Sequence, residues 1–172
     1  MKKIILNTPY PTIVYNDYIV DPSVIDNLFQ THKKRDRCVY NYKSLFNPTA
    51  LFVRDITSEF LSMNKFPHNK KLWYIDVIRY SLNEETKPIS SGLVWHCEND
   101  EYTDVISVLL YLHIDDDIND GNLKYKDKYN QKHILPIKNG TTIIMDGNVK
   151  HKPQDPYGSG KRDLIIVSFE KK

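Results

Sequence analysis

The stretch DVISVLLYLH, Asp104 to His113, has no polar face. Side chains alternate across a strand. Val105, Leu109 and Tyr111 therefore fall on one side, and Ile106, Val108, Leu110 and Leu112 on the other. A strand with one solvated face would alternate apolar and polar residues, so both faces of this one must be covered. One face is expected to line a barrel interior and the other to meet helices.

The flanking sequence supplies both coverings. Upstream, Thr12 to Ile19 is rich in β-branched and aromatic residues and reads as a strand. Asp21-Pro22 is a helix start signal, predicting a helix to about His32, and Asn47-Pro48 repeats it. Phe52, Ile56, Phe60 and Met63 follow at helical spacing and predict one apolar face. Downstream, short strands are expected over Leu72–Leu82, Leu93–Glu98, Gly121–Tyr125, Lys132–Ile137, Thr141–Met145 and Arg162–Glu170. Turn signals separate them at Asp115 to Gly121, Asn139-Gly140, Gly147-Asn148 and Tyr157 to Gly160. The expected fold is mainly β with flanking helices (α+β): a cupin-like jelly roll with the N-terminal helices packed outside one sheet. A single domain over 1–172 is expected, with strands and supporting helices in 1–70 and the jelly-roll core in 71–172.

Composition agrees with a packed core, at 40% hydrophobic and 12% aromatic residues over 172 positions. A net charge of +2 gives no general argument for nucleic acid or membrane partners. Cys38 and Cys97 are too few for a disulfide framework. Met1-Lys2-Lys3 is followed by only Ile4-Ile5-Leu6, too short for a secretory core. With no stretch of membrane-spanning length, an intracellular, cytoplasmic location is expected.

Trp95-His96-Cys97-Glu98 carries the chemistry. In an extended chain, residues i and i+2 project together, so His96 and Glu98 would aim at one point and Cys97 away from it. His151 is the best third ligand, because the Asp146-Gly147 turn before it brings the chain back. Two histidines and a carboxylate form a facial triad, leaving three positions of an octahedral iron open. An H-x-E triplet alone is common, so the weight lies on what accompanies it. Arg162 lies 11 positions after His151, with Leu164, Ile166 and Ser168 as same-face neighbours. A guanidinium on such a face is costly unless an anion pairs with it. A carboxylate ligand would pair in bidentate fashion; alternatively, Arg162 reaches solvent at the strand's start. The Tyr111 hydroxyl is placed to donate to the same carboxylate, or Tyr111 is a core tyrosine.

Taken together these residues resemble the prolyl 4-hydroxylase-like branch of the Fe(II)/2-oxoglutarate-dependent oxygenases. Ile78-Arg79-Tyr80, Trp95-His96-Cys97-Glu98, Val108-Leu109-Leu110-Tyr111-Leu112, Asp120-Gly121-Asn122-Leu123, Met145-Asp146-Gly147, His151 and Lys161-Arg162 stand in the family's order. The resemblance spans about Tyr80 to Glu170. It implies a double-stranded β-helix, with iron on His96, Glu98 and His151. It also implies 2-oxoglutarate on Arg162 with help from Tyr111 and a contact from Tyr80, and O₂ as co-substrate. The implied activity is dioxygenase hydroxylation of a protein side chain or a small molecule, releasing succinate and CO₂. Two departures are visible: Glu98 stands where aspartate is usual, and Asp120-Gly121 replaces a glycine pair.

Two other classes stay open. Trp95-His96 followed by Asp100-Glu101 is similar to the AlkB-like nucleic-acid demethylases, but the last strand lacks their second arginine. A non-catalytic jelly-roll binding module is the third. Two basic, tyrosine-containing stretches, Lys33 to Arg37 with Tyr40 and Tyr42, and Lys124 to Lys132 with Tyr125 and Tyr129, suit either nucleic acid or, preferably, a solvated surface. The substrate is expected to be set by the loops Asn83–Gly92, Asp115–Asp120 and Tyr125–Lys132.

Overall fold

The computed structural model describes residues 2–29, 35–41, 43, 45–83, 94–99, 101 and 103–172. The strands are β1 (Lys3–Ile5), β2 (Thr12–Tyr15), β3 (Arg35–Asn41), β4 (His68–Leu82), β5 (Val105–Ile114), β6 (Ile118–Asp120), β7 (Leu123–Lys126), β8 (Lys132–Leu135), β9 (Thr142–Asp146), β10 (His151–Pro153), β11 (Pro156–Gly158) and β12 (Gly160–Lys171). The helices are α1 (Val24–Leu28) and α2 (Pro48–Met63). A seven-stranded sheet runs β1-β2-β9-β5-β12-β4-β3. It is faced by a three-stranded sheet, β10-β7-β8, and a short β11-β6 pair. An isolated antiparallel bridge, His96 to His151, adds the His96 segment beside β10. These two main sheets make the jelly roll expected from the sequence.

The apolar strand β5 lies at the middle of the large sheet, and its two faces divide as its sequence requires. Ile106, Val108, Leu110 and Leu112 join a core with Val53, Phe60 and Leu61 of α2 and with Ile25 and Leu28 of α1. Leu109 and Tyr111 join the inner core, with Ile78, Tyr80, Leu123, Met145 and Leu164. Burial of this kind is worth about 25 cal/mol per Å² of apolar surface, and it fixes the register that aims β4, β5 and β12 side chains inward.

Helix α2 begins as its sequence signal predicts. The Asn47 side chain accepts from the backbone N–H groups of Thr49 and Ala50, and Pro48 follows. Asn47→Ala is expected to cost about 1 kcal/mol of stability, read as a lowered midpoint in urea unfolding. The predicted apolar face is rotated in the structure. Ala50, Val53, Thr57, Phe60 and Leu61 are buried, while Phe52 and Met63 are exposed. Small residues let the helix lie close to the sheet, and the Thr57 hydroxyl is satisfied by the Val53 carbonyl at 2.6 Å.

Other boundaries also differ. Helix α1 is only five residues, and Phe29 is already extended. The Asp21-Pro22 signal forms the turn before it, where Asp21 Oδ1 accepts from Ser23 N at 2.8 Å. Thr31 to Lys34 offers no apolar residue to continue its stripe; His32 to Lys34, Tyr42 and Asp100 lie outside the described residues. Leu93–Glu98 is not a strand over its described part. Glu98 N and Asn99 N both donate to Gly147 O, at 2.8 and 3.1 Å, which closes a turn rather than a ladder. Among the described residues no helix is long and apolar enough to cross a membrane.

Candidate metal and anion site

His96 and His151 face each other across their bridge. Each N–H donates to the other's carbonyl, at 3.0 and 2.9 Å, which turns both imidazoles to one side. The ring centroids are 4.3 Å apart. Each ring also has Nδ1 2.9 Å from the carbonyl two residues earlier, Val94 for His96 and Val149 for His151. With the proton on Nδ1, both Nε2 lone pairs point into the site, the tautomer that metal ligands require.

Glu98 completes the cluster. Its Oε1 lies 3.4 Å from His96 Nε2 and 3.4 Å from His151 Nε2. One ligand atom from each of the three residues lies within 4.8 Å of the others, the one such group among the described residues. Ligand bonds of about 2.1 Å meeting at right angles put ligand atoms about 3 Å apart. The observed spacing fits a metal held on one face. Burial pushes the Glu98 carboxyl up, but hydrogen bonds with His151 and His96, and their charge, outweigh it and hold the group well below the usual carboxylate range. The Glu98 contact in turn pulls the His96 imidazole up, against burial. Cys97 points away, with Sγ donating to Asn148 O at 3.4 Å.

The sequence gives no hint of one further partner. The Tyr74 hydroxyl donates to Glu98 Oε2 at 3.1 Å. Burial, and then the Glu98 charge, push that hydroxyl well above its ordinary pKa, so it remains a donor. Tyr74 thus fixes the longer glutamate arm, leaving Oε1 for the histidines. Tyr74→Phe is expected to weaken Co(II) binding by about tenfold in a direct titration; unchanged affinity would remove Tyr74 from the site.

Arg162 lines the same cavity as this cluster and is buried, at 3% exposure. It does not reach solvent from a frayed strand end. Its side chain is inserted between aromatic faces, with Cζ 5.2 Å from the Tyr111 ring centroid and 5.8 Å from that of Tyr80. Nη2 donates to Gly121 O at 2.5 Å, while Nε is buried with no partner. The neighbouring Asp163 is no help. It faces the helices and pairs with Arg79, at 2.8 Å and 2.9 Å. Asp76, which lines the cavity, is held by Arg37 at 2.7 Å. A buried guanidinium with an orphan N–H and no ion pair among the described residues calls for an anionic ligand. Burial pushes the Tyr111 hydroxyl up, although the Arg162 charge opposes it.

One cavity of about 220 Å³ is lined by His96, Glu98 and His151 and also by Tyr80, Tyr111 and Arg162. Ile78, Leu109, Leu164 and Ile166 form apolar wall. Among its described lining residues none comes from Asp115–Asp120 or Tyr125–Lys132, so those loops do not shape it. Arg37, Asp76, Pro153, Gln154 and Asp155 do. The loop Asn83–Gly92 lies outside the described residues beyond Asn83.

No protein-family model matches the sequence, and no curated protein does. Solved structures match it over nearly its whole length. A 2OG-Fe(II) oxygenase-family oxidoreductase from Burkholderia pseudomallei superposes with a TM-score of 0.68 at 12% identity, over 94% of this chain and 84% of that one. The fold is that of the Fe(II)/2-oxoglutarate oxygenases. A prolyl hydroxylase from Trichoplax adhaerens, in complex with a hypoxia inducible factor peptide fragment, shares this oxygenase fold with a TM-score of 0.63 at 11% identity, over 93% of this chain and 83% of that one. HygX from Streptomyces hygroscopicus, with nickel and 2-oxoglutarate bound, shares it with a TM-score of 0.60 at 11% identity, over 94% and 83%. In the oxygenase fold of this chain, β4, β5 and β12 carry Tyr80, Tyr111 and Arg162, and the small sheet carries His151.

Proposed function

We propose that this chain is an Fe(II)- and 2-oxoglutarate-dependent dioxygenase that hydroxylates a protein side chain, as a prolyl hydroxylase does, or a small molecule. One observation carries the reading. A three-ligand cluster and a buried arginine with an unused N–H line the same small cavity. Its volume is below the roughly 300 to 1,000 Å³ of drug-sized sites and suits a small dicarboxylate.

His96, Glu98 and His151 would hold iron on one face, leaving the other coordination positions for ligands. Iron(II), when bound with 2-oxoglutarate and O₂, supplies oxidation of a substrate C–H bond with release of succinate and CO₂. The chain's own residues bind and orient. Arg162 takes the carboxylate of 2-oxoglutarate remote from the metal, and the Tyr111 hydroxyl donates to it. Tyr80 flanks the guanidinium and limits its movement. The apolar wall excludes water, which strengthens the ion pair. The Nδ1 contacts to Val94 and Val149 hold the two imidazoles aimed, with Nε2 of each toward the site.

Gly121 keeps Arg162 in place. A Cβ there would lie 2.7 Å from Arg162 Cζ and Nη1, and the backbone is at φ +72°. Gly121→Ala is expected to weaken 2-oxoglutarate binding by about tenfold by displacing the guanidinium, with metal affinity unchanged. Equal losses of both affinities would contradict that assignment.

The activity is tested by incubating the chain in air with 2-oxoglutarate, with and without Fe(II). Succinate is expected only with iron. No succinate above the iron-free control would contradict the reading.

A further inference from the structure

The outer face of the small sheet is a lysine surface that the site does not use. Lys124 of β7 is directly opposite Lys152 of β10. Lys126 of β7 is directly opposite Lys132 of β8, and its N–H donates to Lys150 O. Two cross-strand pairs therefore set like charge against like, an arrangement that costs stability in a ladder. Between residues 121 and 153 the chain carries seven lysines and two aspartates, although its net charge is only +2. Both aspartates are committed inside the fold. Asp127 is buried and bonded to His133 Nε2 at 3.0 Å, and Asp146 is paired with Lys171 at 2.9 Å. Among the described residues, none of the five face lysines is in an ion pair. The face adjoins the metal cluster, because Trp95 precedes His96 and packs under Lys126 and Lys132, at 5.5 and 5.9 Å from its ring centroid.

We infer that this face docks an acidic segment of a polypeptide partner. The charge calls for an anionic ligand with several charges at short spacing. The aromatic rings decide between kinds of polyanion. Single-stranded nucleic acid is held by stacking as well as by charge. On the face itself the Trp95 ring carries two ammonium groups. Tyr125 alternates with Lys124 and Lys126, so it falls on the opposite face, stacked on His133 at 5.3 Å. Tyr129 is exposed but belongs to the turn beyond β7, not to the sheet face. The sheet face therefore offers charge without a free stacking platform. A run of carboxylates needs only the charge. The inference does not depend on the oxygenase reading, since it uses none of the cavity residues.

The test is fluorescence anisotropy with the full chain and two labelled probes of about ten units each, an oligoglutamate and an oligothymidylate. The oligoglutamate is expected to bind saturably at about 20 mM salt and to be released at about 200 mM. Lys126→Glu with Lys132→Glu is expected to lower its affinity by about tenfold or more, while Lys172→Glu, distant in the chain and exposed, leaves it unchanged. If the double reversal does not fold by circular dichroism, Lys124→Gln with Lys152→Gln replaces it, with the same expected loss. Absence of oligoglutamate binding at low salt overturns the inference. So does tighter binding of the oligothymidylate, or binding that survives the folded variants.

Discussion

Arg162→Ala is expected to weaken 2-oxoglutarate binding by about a hundredfold or more and to leave metal affinity within about twofold. The guanidinium is buried, its Nε has no partner, and Asp163, next in sequence, and Asp76, in the cavity wall, are taken by Arg79 and Arg37. Truncating one partner of a buried, hydrogen-bonded charge pair costs about 2 to 5 kcal/mol. The same isolation gives a second, opposite effect. Without ligand, Arg162 is an uncompensated buried charge, so Arg162→Met is expected to melt at or above the parent in the absence of 2-oxoglutarate. Arg162→Lys should fall between, since an ammonium keeps the charge but not the fork. Equilibrium titration with 2-oxoglutarate and thermal melts with and without it read both effects. An arginine of purely structural use would give the reverse: lower stability and unchanged ligand affinity.

His151→Ala carries the other large effect. His151 is buried, and its orientation is fixed at three points: the paired bridge bonds to His96 and the Nδ1 contact to Val149. Its removal leaves two ligand residues on one side of the cluster. Losing an outer partner of a ligand already costs metal sites about 10- to 100-fold, so losing the ligand should exceed about a hundredfold. Cys97→Ala, between the ligands in sequence but turned to Asn148 O, is expected to keep full affinity. Competition titration with Co(II) measures both. Equal affinities of His151→Ala and the parent would place the metal elsewhere.

How much of this was legible in the sequence follows from range. The two-faced strand β5 could be read because its pattern is local and ten residues long. The Asn47-Pro48 cap was legible for the same reason. The face of α2 was misread because its large residues, Phe52 and Met63, drew the stripe, whereas Ala50 and Thr57 make the contact. Strands β6, β10 and β11 are three residues each and pass through Asp, Gly and Pro positions that signal turns. They exist because partners pair with them, and no propensity shows that. At the site, the i, i+2 rule aims His96 and Glu98 together even though the segment is a bridge and turn. Arg162 stood out because a cation on an apolar face is costly. Tyr74 gave no signal: it precedes Glu98 by 24 positions and meets it only through folding. The contact of Gly121 with Arg162 spans 41 positions and was equally hidden.

On the proposed function, one cavity holds both a metal on His96, Glu98 and His151 and 2-oxoglutarate on Arg162. Anaerobic addition of Fe(II) and 2-oxoglutarate tests it most directly. A weak visible charge-transfer band is expected, absent with either component alone and abolished by His96→Ala. No band with both present, or a band that survives His96→Ala, would contradict it.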